Sequence, residues 1–216
     1  MKKFFTVLVL VLLVAANSYS QEKYSVITSV GGGINLPIGD FKDSYLNYGY
    51  GMGYNGHLDA SMLFTPGIGG RFDITYYNFP LNKDNFSSPY PVMGTVNGGD
   101  ITLIGAKLNF IGGLLKPSEK AIIYGIVGFG VYFSTVNDIE VKDPSGTVLQ
   151  RIFGSNSAFF GGSVGARFSY KVDKNVALFA EGAFETYFPT EKWAKMTFGY
   201  KNFFIPAKVG VMITVL

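Results

Sequence analysis

The chain has 216 residues, of which 48% are hydrophobic, 16% aromatic and only 15% charged. Soluble domains carry roughly 25% charged residues, so this composition argues against an ordinary water-covered surface. Without Lys2 and Lys3 of the N-terminal segment, the 18 basic residues become 16 against 15 acidic residues, and a net charge of +1 provides no basic field for nucleic acid. Cysteine is absent, which excludes disulfides and thiolate metal sites.

The first 20 residues have the layout of a secretory signal peptide. Lys2 and Lys3 precede a hydrophobic run over residues 4–16, and small residues stand at the cleavage-recognition positions before Gln21. A retained membrane anchor is the alternative, but the run is shorter than the roughly 20 apolar residues that a spanning helix needs. We therefore expect cleavage before Gln21 and one mature domain over residues 21–216.

The mature chain repeats one pattern, in which apolar residues alternate with small or polar ones at a period of two, and this pattern predicts β-strands. In the longest alternation, Leu58 and Met62 lie on one face and His57 and Asp59 on the other. The predicted strands are 24–36, 48–64, 71–79, 102–111, 121–134, 158–172, 176–188 and 203–216. Eight is an even number, as a bacterial barrel with both termini in the periplasm requires.

The connections between these strands alternate in length. Short ones cover residues 65–70, 113–120 and 173–175, and the long polar ones cover 82–99, 136–156 and 190–201, with 39–47 of intermediate length. A soluble β-sandwich has no reason to sort its loops in this way. The alternation predicts short periplasmic turns and long extracellular loops.

The end of the first strand carries a short motif, GINLPIGDF at residues 33–41. Its G-x-N-x-P-x-G-x-F spacing resembles the first strand and loop of small bacterial outer-membrane β-barrel proteins, the OmpA/OmpX-like group, and the whole mature chain follows the layout of that family. The resemblance implies an all-β, eight-stranded antiparallel up-and-down transmembrane barrel in contact with outer-membrane lipid.

The C-terminal stretch at residues 208–216 is similar to the terminal-strand signal through which such barrels are recognised for insertion. The resemblance therefore implies the barrel-assembly machinery as a partner. The stretch departs from the signal because it ends in Leu216 instead of an aromatic residue.

Aromatic residues on the apolar face fall near the strand ends, as two girdles at the membrane interfaces would require. The predicted girdle near the long connections contains Tyr48, Tyr50, Tyr76, Phe133, Phe160, Phe188 and Phe203. The predicted girdle near the short connections contains Tyr24, Phe64, Phe110 and Tyr170.

The opposite face carries ionisable residues, and the interior of an eight-stranded barrel is just wide enough for side chains to fill. We expect them to form a lumenal ion-pair network of five bases and four acids: Arg71, Lys107, Arg167, Lys171 and Lys208 with Asp59, Asp73, Glu181 and Glu185. An ion-selective pore would instead carry a ring of one charge. If Val172 and Val176 are opposite each other across the tight turn, Arg167 faces Glu181.

The single histidine, His57, shares a strand face with Asp59 and Ser61, so a proton relay is conceivable. These side chains point into the lumen, away from the loop tips where substrates would arrive. We therefore expect a structural pair, no catalytic residues, and neither a cofactor nor a metal site.

These patterns leave three functions open. The first is a structural and surface-interaction protein that contacts a partner through its long loops at 82–99 and 136–156, since loops on a rigid scaffold carry binding. The second is a narrow pore for small solutes. The third is a soluble lipocalin-like carrier, which would bury the aromatic face and expose Arg71, Lys107, Arg167 and Glu181.

Overall fold

The computed structural model describes residues 25–39, 41–42, 49–65, 68–83, 95–118, 120–188 and 202–215. The strands are β1 (Ser25–Gly39), β2 (Gly53–Thr65), β3 (Ile68–Phe79), β4 (Thr95–Gly98), β5 (Ile101–Ser118), β6 (Ala121–Val136), β7 (Ile139–Lys142), β8 (Val148–Ile152), β9 (Ser155–Lys171), β10 (Val176–Phe188) and β11 (Asn202–Val215). Within these ranges, no helix is long and apolar enough to cross a membrane. The predicted signal peptide, Tyr24, Tyr48 and Leu216 lie outside the described residues.

Eight of the strands form a closed antiparallel barrel in the order β1-β11-β10-β9-β6-β5-β3-β2, which confirms the predicted fold class. Every barrel strand pairs with the barrel strands that precede and follow it along the chain. The ring closes between β1 and β11, whose register runs from Val26 opposite Val215 to Gly39 opposite Asn202.

The barrel presents its apolar face outward and its polar face inward. Outward side chains such as Leu58 and Val127 are exposed, while Arg71, Lys107 and Glu181 are buried in the lumen. This is the pattern of a transmembrane barrel, in which lipid covers the outside. A lipocalin-like carrier has the opposite arrangement, so the soluble alternative is wrong.

The second strand was predicted from residue 48 but begins at Gly53, and the predicted position of Tyr50 is therefore wrong. Tyr54 pairs with Asn78 in the β2–β3 ladder, and the same register continued would pair Tyr50 with Asn82. Tyr50 instead forms a bridge with Leu81, so the pairing has slipped by one residue. A slip of one residue reverses the faces of a strand. Tyr50 therefore points inward with only 2% of its surface exposed, and it is not part of an outer girdle.

The predicted long polar loops contain regular structure that the alternation pattern does not reveal. β4, β7 and β8 form a separate three-stranded sheet, here called the small sheet, in the order β4-β7-β8. Val96 pairs with Val141, and Ile139 pairs with Ile152. The two longest connections of the barrel thus join each other beyond its rim.

The motif at residues 33–41 shapes the rim where β1 ends. The buried Asn35 side chain donates to the carbonyl of Tyr54 at 2.8 Å and accepts from Asn55 Nδ2 at 2.7 Å. Gly39 has a φ of 61°, in the left-handed region that favours glycine, and its carbonyl accepts from the N–H of Lys42 at 3.0 Å. This turn returns Phe41 to the barrel interior, where it is fully buried.

We predict that Val127→Arg destabilises the barrel by about 2 to 4 kcal/mol, because Val127 is 60% exposed on the lipid-facing surface. The same substitution at Val148, which lies in the small sheet and is also exposed, should change stability by less than about 0.5 kcal/mol. Urea unfolding of the two variants in lipid vesicles measures both values. Equal losses would contradict a lipid boundary around the barrel.

Candidate functional site

The barrel lumen is filled by three layers of side chains. Near the short turns, Ile27, Phe179 and Met212 form a small apolar cluster. The middle layer is an ion network of eight charged residues, here called the lumenal ion network: Asp59, Arg71, Asp73, Lys107, Arg167, Glu181, Glu185 and Lys208. Toward the long connections lies a larger apolar cluster, here called the aromatic plug: Phe41, Tyr50, Tyr77, Phe79, Leu81, Ile101, Leu103, Tyr132, Val136, Ile139, Phe159, Tyr187 and Phe204.

Glu181 on β10 is the centre of the lumenal ion network. Arg71 Nη1 on β3 donates to its carboxylate at 2.6 Å, and Arg167 Nε on β9 donates at 2.7 Å. Lys208 Nζ on β11 lies 3.4 Å from the same carboxylate. The β9–β10 register places Arg167 opposite Glu181, which is the pairing expected from the tight turn. Three cations from three strands thus meet one buried carboxylate.

Arg167 links Glu181 to the far side of the lumen. Its Nη2 donates to Asp59 on β2 at 2.7 Å, and its Nη1 donates to Ser29 on β1 at 3.1 Å. The guanidinium also stacks on the ring of Phe179, with its carbon 4.3 Å from the ring centre. A Cβ at Gly31 would lie 2.4 Å from the carbonyl oxygen of Val209 and 2.9 Å from both the His57 and Phe179 rings. Glycine on the inner face of β1 therefore allows both the close approach of β11 and the packing of the Phe179 ring.

Glu185 connects the lumenal ion network to the aromatic plug. Lys107 Nζ donates to Glu185 at 2.6 Å. The hydroxyls of Tyr77 and Tyr132 donate to Glu185 at 2.7 and 2.9 Å, and Lys107 also donates to the Tyr77 hydroxyl at 2.9 Å. Two plug tyrosines thus bury their rings among apolar side chains and satisfy their hydroxyls in the ion layer.

Asp73 completes the lumenal ion network on the side of β3. Arg71 Nη2 lies 3.3 Å from its carboxylate, Lys107 Nζ lies 3.8 Å away and Lys208 Nζ lies 4.0 Å away. The Thr75 hydroxyl donates a hydrogen bond to Asp73 Oδ1, the same oxygen that Lys107 approaches. Every member of the lumenal ion network therefore has an oppositely charged neighbour.

Lys171 is not a member of the lumenal ion network, and its predicted assignment is wrong. Its alternation places it on the inward face of β9, but it is the last residue of that strand and its side chain is exposed at the rim. Alternation specifies the face of a strand and not the depth within a barrel. Without Lys171, the network has four bases and four acids.

His57, Asp59 and Ser61 are together on the inner face of β2, and all three are buried. His57 Nε2 lies 3.5 Å from Asp59 Oδ2, and the Ser61 hydroxyl lies 3.4 Å from Asp59 Oδ1. The edge of the His57 ring packs against Phe179, with ring centres 5.3 Å apart. The three residues lie between the two apolar clusters of the lumen.

The aromatic plug is the feature of the lumen that sequence reasoning missed. Phe41 packs edge-on against Phe79 at 4.7 Å and against Tyr187 at 5.8 Å. Tyr187 stacks on Phe159 at 5.4 Å. The sequence does contain a signal for the plug, because the alternation places Tyr77, Tyr132 and Tyr187 on the polar, inward face of their strands.

The remaining residues of the predicted girdles lie on the outer face of the barrel strands. Their side chains are exposed or partly exposed where lipid would contact them: Phe64, Tyr76, Phe110, Phe133, Phe160, Tyr170, Phe188 and Phe203. Phe203 is the most covered of them because it packs against Phe184, with ring centres 5.0 Å apart. Their separation into two interfacial belts remains a prediction.

The small sheet is fixed to the aromatic plug. Ile139 of β7 belongs to the plug, and Val96 of β4 and Ile152 of β8 pack against it. Backbone bonds from Gly99 to Asp138 and from Asn137 to Asp100, both 3.1 Å, hold the two chain segments together. The barrel core therefore positions the sheet rigidly.

Two aspartates organise the β7–β8 hairpin. Asp138 accepts from the N–H of Gly154 at 2.7 Å and from Arg151, and these bonds lower the pKa of its carboxyl below the ordinary value. Asp143 accepts from the Ser145 hydroxyl at 2.6 Å and from the N–H of Thr147 at 2.8 Å, which lowers its pKa in the same way.

We predict that replacing either Arg167 or Glu181 by alanine costs about 3 to 5 kcal/mol, because the buried charges around it lose a partner and the network is no longer neutral. The double substitution should cost less than the sum of the two single ones. Urea unfolding in detergent measures the cycle. Lys171→Ala, which removes an exposed cation from the same strand as Arg167, is the matched control and should cost less than about 0.5 kcal/mol. Additive losses would disprove the coupling.

We predict that the hairpin tip loses order only in acid. The pKa of Asp143 is lowered in the folded protein. Its ionised carboxylate therefore supports the turn fully at any pH above about 3.9, the ordinary pKa of an aspartate side chain. This support is lost as the pH falls through the lowered pKa of the folded protein. The amide signal of Thr147, followed by NMR in detergent, should therefore titrate with a midpoint below about 3.9. In Asp143→Asn the titration should vanish, and a midpoint above the ordinary value would refute the turn geometry.

Comparison with known proteins identifies the architecture. No protein-family model matches the sequence, and no curated protein matches it. Among solved structures, the chain is similar to the Neisserial surface protein A, with 15% identity over 90% of this chain and 100% of that one and a TM-score of 0.60. It is also similar to a major outer membrane protein from Thermus thermophilus, with 12% identity, the same coverage and a TM-score of 0.61. The chain therefore has the fold of the small eight-stranded outer-membrane β-barrels.

Proposed function

We propose that this protein is a non-enzymatic outer-membrane barrel that displays the small sheet and its long connections at the cell surface for contact with a partner. The observation that carries the proposal is the mounting of the small sheet on the aromatic plug through Ile139, Val96 and Ile152. A connection that only joins two strands needs no packed support, whereas a binding element benefits from a rigid scaffold.

The filled lumen supports a structural role over the second candidate, a narrow pore for small solutes. The lumenal ion network neutralises itself, and apolar clusters lie on both sides of it. An ion crossing the barrel would have to break these pairs and pass the plug. A conducting pore needs a continuous polar path and sites that bind ions weakly.

The orientation of the barrel is part of the same proposal. Barrel strands that meet through short turns do so at one end, between Thr65 and Ile68 and between Lys171 and Val176, while the small sheet projects from the other end. We assign the short turns to the periplasm and the small sheet to the outside. The β11 strand, which closes the ring against β1, is the element that the barrel-assembly machinery would recognise.

We predict that replacing residues 139–152 by a two-residue turn abolishes surface attachment but leaves the barrel folded, since these residues lie outside the barrel ladder. Attachment is measured by binding of expressing cells to protein-coated surfaces and by their sedimentation. A gel-mobility difference between unboiled and boiled samples reports the fold.

The matched control replaces the four residues 172–175 at the opposite end of the barrel by a two-residue turn, which should leave attachment unchanged. Unaltered attachment after removal of residues 139–152 would refute the surface role. In planar bilayers, the intact protein should show no steady conductance, and a large one would favour the pore.

A further inference from the structure

The end of the barrel that carries the short turns has an excess of positive charge. The side chains described at this end include three lysines and one aspartate: Lys120, Lys171, Lys174 and Asp173. All three lysines are exposed, and none of them forms an ion pair with a described carboxylate. The lumenal ion network balances its charges, whereas this rim does not.

Two of these lysines face each other at the mouth of the lumen. The β6–β9 ladder places Ile122 opposite Ser169, on the inward face of both strands. Two residues further toward the rim, Lys120 and Lys171 have the same facing, and the N–H of Lys171 donates to the carbonyl of Lys120 at 2.8 Å. Like charges directly opposite each other on a sheet are destabilising. An anion between the two lysines would relieve their repulsion.

The lysines surround the opening of a cavity, here called the outer cavity. Its volume is about 40 Å³, and its walls include Lys120, Lys171, Lys174 and Ser169. The Ser169 hydroxyl donates to the carbonyl of Ile122 at 3.4 Å, which is long for a hydroxyl donor, so it can turn to a better acceptor. The outer cavity therefore offers positive charge and a hydrogen-bond donor to one carboxylate or phosphate group.

A second cavity, here called the inner cavity, continues the first toward the lumenal ion network. The two cavities share Ile27, Tyr124 and Met212 in their walls, and the inner one extends to Arg71 and Arg167. The volume of the inner cavity is about 10 Å³. This is room for about one water molecule, so a larger anion stays in the outer cavity.

Two donors along this path have no acceptor in the described part of the chain. Tyr124 is only 8% exposed and lines both cavities, and its hydroxyl forms no hydrogen bond with a described residue. The Nε–H of Arg71 is buried and also lacks a partner there. Burying a donor without an acceptor is costly. Both donors would be satisfied by acceptor atoms in the cavities.

The walls of the two cavities are cationic on balance. Among the described residues, five cations line them against one anion, Asp173. Arg71 and Arg167 are neutralised by the lumenal ion network, so three lysines minus Asp173 leave a charge of +2. One oxygen of Asp173 accepts from the N–H of Lys174 at 2.7 Å within the turn. The apolar cluster below lowers the local dielectric constant, which strengthens the attraction for an anion.

We propose that the two cavities and their lysine rim form an anion-binding vestibule, which takes the carboxylate or phosphate group of a small molecule from the aqueous phase. Lys120 and Lys171 hold the charge from two sides, while Ser169 and Tyr124 donate to its oxygens. The apolar cluster stops the anion short of the lumenal ion network. This inference goes beyond the proposed surface role and does not depend on it. In the orientation assigned above, the ligand comes from the periplasm.

The test titrates the protein with inorganic phosphate or acetate in phosphatidylcholine nanodiscs, at a constant ionic strength maintained with sodium chloride. The amide NMR signals of Ser169 and Tyr124 should shift saturably. The triple variant Lys120→Gln/Lys171→Gln/Lys174→Gln should bind at least about tenfold more weakly, because the walls lose their positive charge. Tyr124→Phe keeps that charge and should bind several-fold more weakly, because one donor is lost.

The matched control is Lys42→Gln/Lys83→Gln/Lys142→Gln, which removes the same charge at the opposite end of the barrel and should bind normally. The gel-mobility difference between unboiled and boiled samples reports the fold of each variant. Nanodiscs that contain phosphatidylglycerol identify the source of the ligand. Phosphate binding of unchanged affinity there supports a soluble ligand, whereas displacement of phosphate assigns the same site to a lipid headgroup.

Several results would overturn the vestibule. Shifts that do not saturate, or equal weakening by the two triple variants, would reduce it to general charge screening. Unchanged binding by Tyr124→Phe would leave only a charged rim without a built site. None of these results bears on attachment through residues 139–152, so the proposed function and the vestibule fail separately.

Discussion

The lumen depends on the carboxylate of Glu181, because charges from distant parts of the chain converge there. Arg71 lies 110 residues away in sequence and yet donates to it at 2.6 Å, while Arg167 approaches from the neighbouring strand. A buried charge is costly unless it is paired and hydrogen-bonded. The strands that carry these residues must therefore hold one mutual arrangement, and the ion pairs help to define the cross-section of the barrel.

The two environments of the barrel explain its composition. Lipid on the outside favours apolar side chains over most of the surface, so charged residues are concentrated in the lumen and the connections. Inside, side chains rather than water fill the available width. The tyrosines Tyr77 and Tyr132 join the two kinds of packing, because their rings belong to the plug and their hydroxyls belong to the ion layer.

The plug also connects the lumen to the surface. Ile139 is part of the plug and of the small sheet, so one apolar core extends from inside the barrel to the structure beyond its rim. A loop supported in this way keeps its shape without a partner. This packing fixes the small sheet in one position relative to the barrel.

The strands of the barrel, their faces and their number could be predicted from the sequence, because a period of two between lipid and lumen is a local property of each segment. The pairing of Arg167 with Glu181 could be predicted as well, since a tight turn sets the register of the two strands it joins. Tyr50, Lys171 and the small sheet instead depend on tertiary contacts. A register slip of one residue turns Tyr50 inward. Lys171 is exposed at the rim because it is the last residue of β9. β4 pairs with β7 across more than 40 residues of chain, a contact that no local pattern encodes.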